Sequence, residues 1–154
     1  MPHIHEKVDF TVEVLIVFRN KVLLRKHDKY KIWLSVGGHI EIDEDPNQAA
    51  IREVKEEIGI DVKLFDTRFF KYEKENYKEL IPPAFLNRHR INEKHEHVTL
   101  TYFATSETDK LVLCEDEKTE ECKWFSYDEL ESEEIPGHIK AYAKKALEVL
   151  STKS

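Results

Sequence analysis

From Asp9 onward the chain reads "DFTVEVLIVFRNKVLLRKH", and Phe10, Val12, Val14, Ile16 and Phe18 fall on alternate positions. That period of two predicts a strand with one apolar face. Arg19-Asn20 is a turn candidate, followed by a second strand over 21–25. "KIWLSV" predicts a short strand leading to the pair Gly37-Gly38. Further strands are expected over 64–72 and 98–105, and "KLVLC" and "CKWF" supply two short candidates.

The spacing turns helical twice. Asp45 is placed to cap a helix, with Pro46 at its first position and Gln48 completing a capping box. Gly59 stands where a left-handed residue would end it. Ala50, Ile51, Val54 and Ile58 give this helix its apolar stripe. A second helix is expected after Pro136 and toward Leu150, burying Ile139, Ala143, Ala146 and Leu147 along with Leu150. A short helix is expected over 127–130. One helix cannot cover this many strands, so the layer solution is a mixed sheet with a helix on each face. The expected fold is α/β, an alpha-beta-alpha sandwich, as a single domain over 1–154.

Composition narrows the function classes. The net charge of -7 argues against a dedicated nucleic-acid surface but allows a locally basic cleft for a phosphorylated ligand. The longest apolar run, "VLIVF" over 14–18, is far too short to span a membrane. No early segment has the pattern of an export signal, so a cytoplasmic protein is expected. Cys114 and Cys122 match no metal-knuckle spacing and read as free thiols.

The chemistry concentrates in "GGHIEIDEDPNQAAIREVKEEIGI". On a helix, Glu53, Glu56 and Glu57 share one broad face beside the apolar stripe. Like charges at these spacings repel, and a divalent cation that takes several hard oxygen ligands relieves the strain; Mg²⁺ suits this best. Gly37 can offer a backbone carbonyl, and Arg52 can pair with a neighbouring carboxylate and fix its rotamer. The plain alternative is a Glu-rich helix facing solvent.

The segment over 38–60 resembles the Nudix hydrolase signature at every fixed position: Gly38, Glu44, Arg52, Glu53, Val54, Glu56, Glu57, Gly59 and Ile60. The upstream strands and the downstream "WFSYDEL" extend a weaker resemblance over most of the chain. The resemblance implies a Nudix-like sandwich that hydrolyses a phosphoanhydride in a nucleoside diphosphate linked to another group, with Mg²⁺ or Mn²⁺ as cofactor. It makes Glu53, Glu56 and Glu57 catalytic or metal-binding and gives Gly37 a carbonyl ligand role. Glu44 then stabilises the loop and helix, and Arg52 orients a carboxylate. A further acidic ligand is expected from outside the signature. The candidates are Glu93, Glu96, Glu117, Glu120 and Glu121, of which Glu120 is preferred. The implied partner is a small-molecule nucleotide. An RNA 5′ end and a noncatalytic nucleotide-binding domain are the competing readings, and a homodimer through exposed strand edges is compatible with the chain.

"IPPAFLNRHRINEKHEHV" places Arg88, His89 and Arg90 near Phe85, a mix that can hold a phosphate and stack a base. His95 and His97 share a strand face, but two histidines do not complete a zinc shell, so they read as ordinary polar side chains. Trp33 reads as core, and Trp124 and Phe125 as strand packing. His3 and His5 receive no role.

Overall fold

A computed structural model describes residues 7–28, 30–113, 121–131 and 133–151 of the chain. The central strand is β1 (Val8–Phe18), joined by the Arg19-Asn20 turn to β2 (Lys21–Lys26). "KIWLSV" yields two short strands, β3 (Trp33–Leu34) and β4 (Val36–His39), so the glycine pair lies within a strand. Helix α1 (Pro46–Ile58) and β5 (Val62–Leu64) follow, then a small hairpin of β6 (Glu73–Lys74) and β7 (Tyr77–Lys78). Strands β8 (Phe85–Asn92) and β9 (His95–Ser106) form a longer hairpin, and β10 (Glu121–Phe125) precedes a 3-10 turn at Asp128–Glu131 and helix α2 (Gly137–Leu150).

The main sheet runs β10-β2-β1-β9-β5, with β3 on β2, β4 on β1 and β8 on β9. β1 and β9 are parallel while the other pairs are antiparallel, which makes the sheet mixed. Strand β1 is buried on both faces because the sheet is covered on both. Val12, Val14 and Ile16 pack with Ala49, Ala50, Val54 and Ile58 of α1. Leu15 and Val17 pack with Trp33, Phe125 and the Ile139, Ala143, Ala146 and Leu147 stripe of α2. The α/β sandwich with two helices is therefore the observed fold. Among the described residues, no helix is long and apolar enough to cross a membrane.

The ends of α1 follow from their residues. Asp45 accepts a hydrogen bond from the Gln48 N–H at 2.9 Å, and the Gln48 side chain accepts from the Asp45 N–H at 3.0 Å. Gly59 takes φ 72°, and its N–H reaches the Lys55 carbonyl. We expect Asp45→Ala to cost about 1 kcal/mol of stability, the usual loss for such a cap, read as a lower urea midpoint with an unchanged slope.

Four expectations need correction. The strand over 64–72 stops at Leu64, because Asp66 captures the Arg68 N–H at 2.9 Å in a side-chain turn that competes with a ladder. "KLVLC" is no strand over its described residues 110–113. The Val112 N–H instead bonds the Ile58 carbonyl at 2.9 Å, and Leu111 and Leu113 pack on the α1 core. On α1, Ile51 is 43% exposed and Ala49 takes its place inside. Phe10 is 49% exposed, since the α1 layer covers β1 only from Val12 onward. Cys114 lies outside the described residues, and Cys122 is a free thiol.

Candidate active site

The signature residues meet at the junction of α1 with β4. Arg52 is the hub. Its guanidinium donates to both oxygens of Glu44, at 2.6 and 2.9 Å, to Glu53 at 3.0 Å, to Glu56 at 3.1 Å and to the His39 carbonyl at 3.0 Å. Glu44 also accepts from the Glu41 N–H at 2.9 Å, which closes the loop that leads into the helix. Arg52, more than any other partner, holds the Glu44 carboxyl below its ordinary range.

Glu53 and Glu57 face the glycine pair. A Cβ on Gly38 would stand 2.4 Å from the Glu53 carboxylate, so only glycine leaves that side chain its place. Glu57 accepts from the Gly37 N–H at 3.1 Å and lies 3.5 Å from an Arg25 guanidinium nitrogen. A strand residue's N–H and carbonyl point to the same side, so the Gly37 carbonyl faces the Glu57 side too. Burial pushes the Glu53 carboxyl above its ordinary range, and hydrogen bonding from Arg52 only partly offsets it. Glu56 is the outermost of the three, with a largely exposed side chain.

The donor set fits a hard divalent cation. Three carboxylates on one helix face and a glycine carbonyl are oxygen ligands of the kind Mg²⁺ takes. The desolvated Glu53 carboxylate is also a charge that an added cation would stabilise.

Across the glycine pair lies a cleft of about 590 Å³, whose lining includes Gly37, Gly38, Glu13, Asn87, His89 and Tyr142. Its floor holds a ladder of polar pairs between β1 and β9. Thr11 and Thr99 share a 2.7 Å hydrogen bond, and Thr101 donates to Glu13 at 2.6 Å. Ser35 also donates to Glu13, at 2.7 Å. Tyr142 of α2 stacks on Phe85 with ring centroids 4.1 Å apart, forming one wall.

Sequence reasoning missed Arg25 and Glu13. Glu13 did carry a signal, because Asp9, Thr11 and Glu13 alternate with the apolar set; in the structure Thr11 and Glu13 line the cleft beside Ile139 and Tyr142 of α2. Arg25 carried none, since its approach to Glu57 depends on tertiary packing. Of the extra acids considered, Glu117 and Glu120 lie outside the described residues. Glu96 is paired with Arg88 at 2.5 Å, Glu93 is exposed in the β8–β9 turn, and Glu121 is exposed at the start of β10. Trp33 is core, edge-on to Phe125. His3 and His5 lie outside the described residues.

Comparison with known proteins agrees with this geometry. The NUDIX domain profile matches residues 9–145. A NUDIX-family hydrolase structure from Clostridium perfringens superposes with a TM-score of 0.81 at 34% identity, covering 93% of this chain and 98% of that one. An m7GpppN-mRNA hydrolase of Xenopus laevis is 30% identical over 144 residues, covering 87% of this chain and 45% of its own length. The chain thus spans under half of that relative. A probable DHNTP pyrophosphohydrolase of Lactococcus lactis subsp. cremoris is 26% identical, over 90% of this chain and 74% of its own length.

Proposed function

This chain belongs to the Nudix family of pyrophosphohydrolases, and we propose that it hydrolyses the triphosphate of a small molecule carrying an amino-oxo-pyrimidine ring, a guanine nucleotide or a pterin. The observation that carries the hydrolytic reading is the packing of Glu53 and Glu57 against Gly37-Gly38, with Arg52 holding Glu44, Glu53 and Glu56 together. Glu56, Glu57 and the Gly37 carbonyl would hold Mg²⁺ or Mn²⁺. When bound, the cation supplies a Lewis acid to the phosphate oxygens and offsets their charge. Glu53 takes the proton of the attacking water, a role suited to a carboxylate whose affinity for protons is raised by burial. Arg52 keeps Glu53 in one rotamer, and Glu44 keeps Arg52 in place.

The ring preference rests on the cleft. The Glu13 carboxylate lies on its floor and, beyond its two hydroxyl donors, retains acceptor capacity for N–H groups. Guanine and dihydroneopterin present the same adjacent amino and imino donors, and the Xenopus and Lactococcus relatives are named for substrates bearing one or the other. The cleft volume is that of a small-ligand pocket.

The test is a hydrolysis panel in Mg²⁺ with product phosphates identified: GTP, 8-oxo-dGTP, dihydroneopterin triphosphate, ADP-ribose, a dinucleoside polyphosphate, capped RNA and 5′-triphosphorylated RNA. Pyrophosphate release from GTP or dihydroneopterin triphosphate, in preference to the adenine compounds, is the expected result. Saturable binding without turnover of any compound would instead support a noncatalytic nucleotide-binding domain. Preference for capped or triphosphorylated RNA over every free compound would assign RNA 5′ ends as the substrate.

A further inference from the structure

At the far end of the Asp9–Thr11–Glu13 ladder the polar pairs give way to histidines. Asp9 stands opposite His97 in the parallel β1–β9 register, and His89 stands opposite His97 from β8. His95 enters from the turn end of β9, and His39 from the last position of β4. Four strands therefore deliver one carboxylate and four imidazoles to a single spot. Asp9 is 2% exposed, and the Nε2 atoms of His39, His95 and His97 are all out of solvent contact.

The distances are those of a coordination shell. Asp9 Oδ2 lies 3.2 Å from His39 Nε2 and 3.3 Å from His95 Nε2. Zinc bonds of about 2.05 Å to nitrogen and oxygen give a tetrahedron with edges of about 3.3 Å. Three imidazoles on such an ion would have ring centroids about 5.2 Å apart. The His95–His97 and His39–His97 centroids are 5.0 and 5.1 Å apart, with the rings at 90° and 84°. Asp9, His95 and His97 keep their ligand atoms within 4.8 Å of one another, and His39 joins this trio through Asp9, from which its Nε2 stands 3.2 Å. His89 stays outside it, its Nδ1 bonded to Asn87 at 2.8 Å.

We propose that Asp9, His39, His95 and His97 form a structural site for a transition-metal cation, Zn²⁺ foremost, separate from the signature carboxylates. A carboxylate with three imidazoles suits Zn²⁺ and not Mg²⁺, which prefers all-oxygen shells. Four protein ligands make a closed site, the structural kind. The ion would also compensate a buried carboxylate and tie the start of β1 and the β8–β9 hairpin to the residue that follows Gly37-Gly38. None of this rests on the hydrolytic reading. The plain alternative is that Asp9 joins the imidazoles by hydrogen bonds and ion pairing alone.

The experiment uses the full chain, stripped by chelator and titrated with Co²⁺ and then Zn²⁺ in a large excess of Mg²⁺. We expect one Co²⁺ per chain, the intense visible bands of tetrahedral coordination, and displacement of those bands by Zn²⁺. Zinc at about a hundred times its dissociation constant should raise the melting temperature by roughly 5–10 °C. Asp9→Asn and His97→Asn should each lose the bands, whereas Glu57→Gln should keep them. His97→Asn, at a half-buried position, decides the matter if Asp9→Asn does not fold. Absence of tetrahedral bands in the unaltered chain overturns the site. So do bands that persist in His97→Asn, or that vanish in Glu57→Gln. Because the readout is spectroscopic, failure of the hydrolysis panel leaves this result standing, and the reverse holds as well.

Discussion

Glu57→Gln lowers turnover by roughly 10²–10⁴-fold, the scale of losing one essential group in such a site, while the fold persists. The amide keeps the shape of the carboxylate, so the Gly37 N–H at 3.1 Å still has an oxygen to reach. What goes is the charge, and with it the affinity for a hard cation. The nearby Arg25 guanidinium, 3.5 Å away, loses the Glu57 charge as well. Phosphate release measured against Mg²⁺ concentration, alongside circular dichroism, checks both halves. A shift of the Mg²⁺ dependence to higher concentration assigns Glu57 to metal binding. Full activity with an unshifted dependence removes it from the site.

The second large effect is at Arg52. Arg52→Gln leaves Glu44, Glu53 and Glu56 without the cation that gathers them, in a region where Arg52 is 23% exposed and Glu44 and Glu53 are 11% and 12% exposed. Removing one partner of a fully buried ion pair costs 3–5 kcal/mol; at this partial exposure we expect about 2 kcal/mol. Turnover falls too, because Glu53 is no longer fixed. Arg52→Lys recovers little of either, since an ammonium cannot make the two-pronged contact with Glu44 or reach the His39 carbonyl at the same time. Urea midpoints give the stability change. A fall in kcat with a small change in KM separates loss of positioning from loss of substrate binding. A stable, fully active Arg52→Lys would show that charge alone is needed there.

Helix α1 shows how far local information reaches. Its cap at Asp45, its left-handed end at Gly59 and the shared face of Glu53, Glu56 and Glu57 depend on residues within a turn or two of each other, so the sequence carries them directly. Helix α2 was legible for the same reason, through its apolar spacing. The β8–β9 hairpin was not. Its first strand is an exposed edge with little apolar alternation, and what makes it a strand is its pairing with β9. The 64–72 stretch erred the other way, since its hydrophobic residues suggested a strand that the Asp66 side chain interrupts.

The amino-acid sequence by itself determined the helices, the central strand, the family signature and the phasing of its acids, because each of these is a short-range property. Only the tertiary structure decided that Arg25 faces Glu57, that Glu13 lies on a cleft floor, and that Asp9 and His39 join His95 and His97. Those meetings link positions many residues apart, the first through the packing of α1 beside β2 and the others through the register of β1 with β4 and β9, and strand register is settled by the packing of the whole sheet.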